Sequence, residues 1–299
     1  MRSKEEHQEI AELEQQLAQA QAQKAWDKAI EIGQRLLELA AANETTRLTI
    51  VVAYKERGNF YHNLKDYKRA IEEYDHSTKL DPNYALAYNN RGIAYHNLKD
   101  YKRAVEEYDH STKLDPNLVL PYINRGIAYC EVRDYKRAME DYNQAIKLNC
   151  NYAVAYTGRG SIYYILKKYK LALKDYDQAI KLDSNYVFAY NWRGNVYYIL
   201  KKYKLAIEDY NQAIKLDPNY VWTYNWRGNV YYKLKEYKRA IEDYNQAIKL
   251  NSNDAFAYYY RGNVYKNTGN KELARRDYQR AKDLGYADAV QNLKEFGLT

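Results

Sequence analysis

An Arg-Gly pair returns along this chain at a fixed interval, and that interval limits the possible folds more than any other feature. Each pair follows the last by 34 residues, at Arg57-Gly58, Arg91-Gly92, Arg125-Gly126, Arg159-Gly160, Arg193-Gly194, Arg227-Gly228 and Arg261-Gly262. A period of this length is typical of a solenoid, in which copies of one small unit stack on their neighbours. A solenoid grows without a second core, so 299 residues predict one elongated domain.

Positions within a repeat are numbered here as slots, with Val51 as slot 1 of the first repeat. Tyr occupies slots 4, 11 and 24 of every repeat, Gly occupies slot 8 and Ala occupies slot 20. Large side chains opposite small ones are typical of antiparallel helices whose backbones approach closely. Each repeat is therefore predicted to be a helical hairpin.

This pattern resembles the tetratricopeptide repeat family, as does the Asp-Pro-Asn between repeats, for example at residues 81–83. The resemblance implies an all-α fold, a right-handed superhelical solenoid of antiparallel helix pairs. Within residues 51–288, seven repeats follow one another without a linker, at 51–84, 85–118, 119–152, 153–186, 187–220, 221–254 and 255–288.

Residues 1–50 are predicted to form an N-terminal helical hairpin and an exit loop around residues 43–45. The first helix would cover residues 3–22, opened by a capping box of Ser3 and Glu6, and the second would run from about Lys24 to Ala41. Two interpretations stay open for this hairpin. It is either a degenerate repeat, offset by seven extra residues, or a plain capping hairpin.

Residues 286–299 are predicted to form a C-terminal capping helix that overlaps the end of the last repeat. Its apolar stripe would consist of Ala287, Val290 and Leu293. The last repeat departs from the pattern, with Gly269 in its turn and Lys271 where the others have Tyr.

Slot 7 carries Arg in all seven repeats, where the family usually has an apolar residue, and slot 23 carries Glu or Asp. A partly buried Arg needs a carboxylate partner, so we interpret the two rows as a structural ladder between paired helices or neighbouring repeats. The alternative is a row of Arg that binds an acidic ligand.

The net charge is +8 and the isoelectric point is near 9, with Lys and Arg gathered in the turns within repeats. We interpret this basic ridge as a solvated surface, and nucleic-acid binding is the less favoured hypothesis. Two cysteines are too few for a disulfide framework, and no signal peptide or transmembrane run is visible. A cytoplasmic location is expected.

No sequence motif of an enzyme is present, whether phosphate loop, nucleophile elbow or zinc-protease helix, so the chain is not predicted to be an enzyme. His62, His96 and Cys130 share slot 12 of successive repeats. Adjacent repeats are expected to lie about 10 Å apart, too far for three ligands on one ion. No metal and no cofactor are predicted.

Variation between repeats concentrates at slots 2, 5, 6, 9, 12 and 13 of the first helix, called the inner slots here. In the family these slots face the concave wall of the superhelix, so the resemblance implies a peptide-binding groove. Its candidate residues are Phe188, Asn191, Trp192, Asn195, Tyr198, Trp222, Asn225, Trp226, Asn229, Tyr232, Phe256, Tyr259, Tyr260 and Asn263.

Two residue types on this wall predict two roles. The aromatic side chains would accept apolar side chains of a partner, and the Asn amides would hold its main chain through paired donors and acceptors. The alternative is that the Trp and Tyr side chains close a tight superhelix against one another.

Lys55, Asn59 and Asn90 resemble the first three members of the carboxylate clamp with which some tetratricopeptide co-chaperones hold the C-terminal tail of heat-shock chaperones. The next two members are missing, because Leu120 and Asn124 stand where Lys and Arg would be needed. These three residues remain a candidate carboxylate contact.

The sequence therefore predicts a non-enzymatic scaffold that binds a protein segment in a concave groove, the partner being unidentified. The alternatives are a structural or self-associating solenoid, a binder of carboxylate tails, and a weak nucleic-acid binder acting through the basic ridge.

Overall fold

The computed structural model describes residues 4–39 and 43–294, and helix is the only regular secondary structure in those ranges. The all-α prediction is confirmed. The chain divides into two compact halves, residues 1–150 and 151–299, which are taken separately below. Within each half, every helix packs against the next helix in the chain.

The first half contains the N-terminal hairpin and repeats one to three. Its helices are α1 (Lys4–Ala22), α2 (Trp26–Glu38), α3 (Glu44–Asn63), α4 (Tyr67–Leu80), α5 (Ala85–Asn97), α6 (Tyr101–Leu114), α7 (Val119–Glu131) and α8 (Tyr135–Leu148).

The second half contains repeats four to seven and a last short helix. Its helices are α9 (Ala153–Ile165), α10 (Tyr169–Leu182), α11 (Val187–Ile199), α12 (Tyr203–Leu216), α13 (Val221–Lys233), α14 (Tyr237–Leu250), α15 (Ala255–Asn267), α16 (Lys271–Asp283) and α17 (Asp288–Lys294).

One contact defines every repeat: the slot 24 Tyr ring lies on the slot 8 Gly backbone. A Cβ atom added to Gly58 would lie 2.5 Å from Cε1 of Tyr74, and one added to Gly194 would lie 2.7 Å from Cε1 of Tyr210. These tyrosines are fully buried, as is the slot 20 Ala one turn earlier. Gly and Tyr are therefore invariant at these slots because the two helices touch there, and the Gly helix has no room for a side chain.

The predicted charge ladder is confirmed within each hairpin. In repeats three to seven, the Nε and Nη2 atoms of the slot 7 Arg donate to both carboxylate oxygens of the slot 23 Asp, as Arg193 does to Asp209 at 2.9 and 2.6 Å. Nη1 of Arg193 also donates to Asp177 of the preceding repeat, at 2.7 Å. Burial disfavours the charge of Arg193, but these bonds outweigh it and raise the pKa of the guanidinium. The slot 7 cations thus have partners inside the fold.

The turn inside each repeat places slot 15 in the left-handed backbone region. Six repeats use Lys or Arg there, with φ between 57° and 62°, and the seventh uses Gly269 with φ 81°. Gly adopts this conformation without steric cost. Gly269 therefore suits its turn and does not by itself weaken the last repeat.

The exit loop expected around residues 43–45 does not include residues 44 and 45, because α3 begins at Glu44. Asn43 caps α3 by accepting a hydrogen bond from the backbone N of Thr46, and α3 then runs through residues 44–50 into the repeat. These residues add about two helical turns, and Ile50 in them is fully buried in a core with Ala29 and Leu36. The seven extra residues between the hairpin and repeat one are helical.

Alignment of the N-terminal hairpin on Trp26 and Ala29 places Gly33 at the Tyr slot and Leu17 at the Gly slot. The Tyr-on-Gly contact of the seven repeats is therefore replaced, and a Cβ atom on Gly33 would lie 2.3 Å from Cγ1 of Ile50. Helix α2 ends at Glu38, earlier than expected. Ser3 of the proposed capping box and Ala41 lie outside the described residues.

Helix α17 packs against the last repeat, and Leu293 of the predicted stripe takes part in the contact. Its buried residues are Ala289 and Leu293, which join Ala274, Tyr278 and Ala281 in one cluster. Val290 is exposed, and so is the neighbouring Ala287. Residues 295–299 of the predicted helix lie outside the described residues.

Candidate functional site

The inner slots of the second half line a pocket of about 470 Å³. Helices α9, α11 and α13 supply its walls, and Tyr220 comes from the residue before α13. Its lining residues are Tyr164, Asn191, Trp192, Asn195, Tyr220, Trp222 and Trp226. Five of these seven were predicted from the sequence. Tyr164 was missed although it shares slot 12 with Tyr198 and Tyr232, and Tyr220 was missed because it lies outside the inner slots.

The tryptophans of this pocket differ in how much of each ring is left to solvent. Trp192 meets Tyr164 edge to face with ring centroids 5.5 Å apart, and Trp226 meets Tyr198 in the same way at 5.8 Å. Both are half-buried. Trp222 is 54% exposed and Phe188, also on slot 2, is 46% exposed. Helix packing thus buries part of the Trp192 and Trp226 rings, and it leaves about half of the Trp222 and Phe188 side chains exposed.

At the end of the second half, the aromatic inner slots are covered by Tyr286, which precedes α17. Tyr286 stacks on Tyr259 with centroids 4.6 Å apart, and Phe256 packs on Tyr260 at 4.3 Å. Burial and the neighbouring Tyr260 raise the pKa of the Tyr286 phenol. Tyr259 and Tyr260 therefore belong to the packing of the chain end as much as to an open surface.

The slot 9 amides accept hydrogen bonds within the hairpin, although Asn195 also lines the pocket. Asn195 Oδ1 accepts a hydrogen bond from the buried Tyr210 hydroxyl at 2.7 Å, and the slot 24 Tyr of repeats six and seven donates in the same way to Asn229 and Asn263. Asn195 and Asn229 are buried. These amides satisfy a hydroxyl that the Tyr-on-Gly contact buries, so their primary role is structural.

The slot 5 amides are also engaged within the fold. Asn191 donates to the Val187 carbonyl at 3.0 Å, and its Oδ1 accepts from Thr223 Oγ1 at 2.8 Å. Asn225 Nδ2 donates to Asp254 at 2.6 Å, while its buried Oδ1 has no hydrogen-bond partner. The expectation that both amide groups of these residues face a peptide main chain is therefore corrected.

On the inner slots of the first half, the structure does bring the candidate carboxylate contact together. Asn90 Nδ2 donates to Asn59 Oδ1 at 3.0 Å, but the Lys55 ammonium is paired with Glu56, which also accepts from Asn59. Burial disfavours the Glu56 charge, but hydrogen bonds from Lys55 and Asn59 outweigh it and lower the pKa of the carboxyl. A carboxylate of this chain thus occupies the position that a partner's carboxylate would need.

The same half shows a relay of amides in place of aromatic rings. Asn124 donates to Asn89 at 3.0 Å, Asn89 donates to Asn90 at 3.1 Å, and Asn90 donates to Asn59. The relay links α7, α5 and α3.

Among the residues that the structure describes, no group of three or more His, Cys, Asp or Glu could hold a metal ion.

Models of one repeat family match most of the chain. Models described as TPR repeat match residues 58–99, 160–200, 194–235 and 228–269, and models described as tetratricopeptide repeat match residues 85–118, 119–152 and 257–284. The chain belongs to the tetratricopeptide repeat family. Repeats of this family are in general protein-interaction scaffolds, and the fold is typically non-enzymatic.

Solved tetratricopeptide repeat structures share the fold. A chain of the APC/C hetero-tetramer Cut9-Hcn1 aligns with a TM-score of 0.70 and 20% identity, over 90% of this chain and 52% of the matched one. A tetratricopeptide repeat protein from Parabacteroides merdae aligns with a TM-score of 0.64 and 21% identity, over 82% and 97%. YrrB, described as a TPR protein with an unusual peptide-binding site, aligns at 0.50 and 23%, over 64% and 99%.

The chain thus spans about half the length of the Cut9-Hcn1 chain, and at these identities the likeness concerns the fold alone. No curated protein matches the chain in sequence. No helix in the described ranges is both long and apolar enough to cross a membrane.

Proposed function

We propose that this tetratricopeptide repeat protein is a non-enzymatic scaffold whose second half binds an extended segment of a partner protein. The binding surface, called the aromatic surface here, consists of Phe188, Trp192, Trp222 and Trp226 around the pocket. The observation that carries the proposal is the exposure of Trp222 and Phe188, at 54% and 46%, on slots that the hairpin contact does not use.

Uncovered aromatic rings in a contiguous strip are unfavourable in water and favour an occupant. Covering a ring such as Trp222 contributes about 2 kcal/mol, and buried Trp residues are common centres of binding energy. A pocket of about 470 Å³ falls within the usual size range of ligand pockets. The likeness of fold to YrrB, described as having a peptide-binding site, is consistent with this use of the surface.

The proposed binding surface depends on the aromatic rings and not on the Asn side chains. Because Asn195, Asn229 and Asn263 accept hydrogen bonds from buried tyrosines, they hold the wall in shape. The first half is the less favoured binding surface, because Glu56 already neutralises Lys55.

Two cysteines and no disulfide framework support a cytoplasmic location of the protein in the cell.

A selection from a displayed library of random linear peptides tests the proposal. Peptides enriched on the intact protein are then retested on Trp222→Ala and on Leu120→Ala. Leu120 is a matched control, because it occupies the same slot in repeat three and is 47% exposed. Both side chains are exposed enough for the variants to fold, which circular dichroism verifies.

We expect the enriched peptides to lose about thirtyfold in affinity on Trp222→Ala and to bind Leu120→Ala almost unchanged. Enriched peptides that bind both variants equally would place the binding surface elsewhere. A selection that enriches no peptide would contradict a peptide-binding role.

A further inference from the structure

The aromatic pocket has an unusual balance of hydrogen-bonding groups. Its two amide oxygens are engaged, Asn191 Oδ1 by Thr223 and Asn195 Oδ1 by Tyr210. The rest of the wall consists of tryptophan and tyrosine side chains. An indole N–H donates and cannot accept, so the three tryptophans of the wall offer no acceptor, and the acceptors beside them are the hydroxyls of Tyr164 and Tyr220.

This balance discriminates between kinds of peptide. An ordinary extended segment brings a backbone N–H with every residue, and an N–H that lies against a tryptophan ring loses water without meeting an acceptor on that ring. A proline brings a carbonyl acceptor and no N–H, and its ring packs on aromatic faces. Prolines also fix the segment in an extended conformation before binding, which lowers the entropic cost of ordering it.

Charge argues against a cationic side chain as the occupant. Cations are attracted to aromatic faces, but the charged residues on the inner slots of repeats four to seven are Lys233 and Lys266, and no carboxylate shares those slots. The lining of the pocket itself carries no carboxylate with which a cation could pair. A neutral or acidic segment is favoured by the same charges.

We propose that the segment bound in the aromatic pocket is proline-containing, with neutral or acidic residues beside the prolines. This inference rests on the proposed function and narrows it. The prolines lie against Trp192, Trp222 and Trp226, and their carbonyls accept from indole N–H groups of the wall. Acidic residues of the segment lie toward Lys233.

Synthetic peptides test the inference separately from the proposed function. For the best peptide from the display selection, each proline is replaced in turn by alanine, which restores the N–H, and by N-methylalanine, which does not. Affinity is measured by tryptophan fluorescence. Three of the four tryptophans, Trp192, Trp222 and Trp226, line the pocket, and Trp26 lies in the first half.

We expect proline among the enriched residues, a loss of about tenfold for a pocket proline changed to alanine, and a clearly smaller loss for N-methylalanine. Equal losses for the two replacements would overturn the donor–acceptor basis of the inference. Enriched peptides that depend on Trp222 but lack proline, or that carry Lys or Arg in its place, would overturn the inference and leave the proposed function standing. Failure to bind any peptide would overturn both.

Discussion

The two halves of this protein share one hairpin contact and differ in what they place on the inner slots. In the first half, Lys55, Glu56 and the relay of Asn residues satisfy one another. In the second half, Trp192 and Trp226 stand on slot 6. Slot 2, which carries Leu120 in the first half, carries the half-exposed aromatic rings of Phe188 and Trp222. The slots that build the hairpin are therefore the same in both halves. We expect the choice of partner to depend on the inner slots, where the second half leaves aromatic side chains exposed.

Alkaline pH should destabilise both halves, and this is the largest expected effect. Burial raises the pKa of slot 24 tyrosines in both halves, namely Tyr74, Tyr108, Tyr176, Tyr210 and Tyr244. Their stabilising contribution is complete below the unfolded pKa near 10. Above it, the unfolded chain releases protons that the folded chain retains, so the free energy of unfolding falls by roughly 7 kcal/mol per pH unit for five tyrosines.

Near-ultraviolet absorbance of tyrosinate, recorded beside circular dichroism in a pH titration, measures this effect. Exposed tyrosines should ionise while helix remains, and the buried ones should ionise together with the loss of helix. Ionisation of every tyrosine near pH 10 with helix intact would mean that the Tyr-on-Gly contact is not closed in solution.

The charge ladder should matter equally in the two halves. Asp141→Ala in the first half and Asp209→Ala in the second each remove the two-bond partner of a half-buried Arg, which keeps the carboxylate of the preceding repeat. Each should lower the free energy of unfolding by about 1.5–3 kcal/mol, because the remaining carboxylate still neutralises the Arg. Denaturant unfolding of the two variants measures this, and a large cost in one half alone would show that the constant slots are not equivalent.

The buried amides should contribute to stability, contrary to what the sequence suggested. Asn195→Ala removes the acceptor of the Tyr210 hydroxyl and should cost about 1–3 kcal/mol. Repeat four offers the reverse test, because Ser161 occupies slot 9 there and the buried Tyr176 hydroxyl has no hydrogen-bond partner. Ser161→Asn should therefore raise the melting temperature.

Thermal melts of both variants decide the matter. Tyr210→Phe added to Asn195→Ala is the control, since it removes the hydroxyl that the first change leaves unsatisfied and should recover part of the loss. An Asn195→Ala variant as stable as the intact protein would return this amide to the candidate binding residues.

Features that recur in every repeat could be predicted from the sequence. Features that depend on one particular contact across a hairpin could not. Gly58, Tyr74 and Arg57 recur with such regularity that the hairpin and its ion pair could be inferred without coordinates. Asn195 was predicted to face the groove by resemblance, and the period could not show that a Tyr hydroxyl fifteen residues later donates to it across the hairpin. Residues 44–50 carry no repeat signal, so the two extra turns of α3 could not be read from the period.

The central claim is the asymmetry between the halves, and hydrogen–deuterium exchange with and without a selected peptide tests it most directly. Bound peptide should suppress local opening of the helices it contacts. We predict slower amide exchange in α11 (Val187–Ile199) and α13 (Val221–Lys233), with no change in α5 (Ala85–Asn97) and α7 (Val119–Glu131). Protection of α5 and α7 equal to that of α11 and α13 would contradict the account.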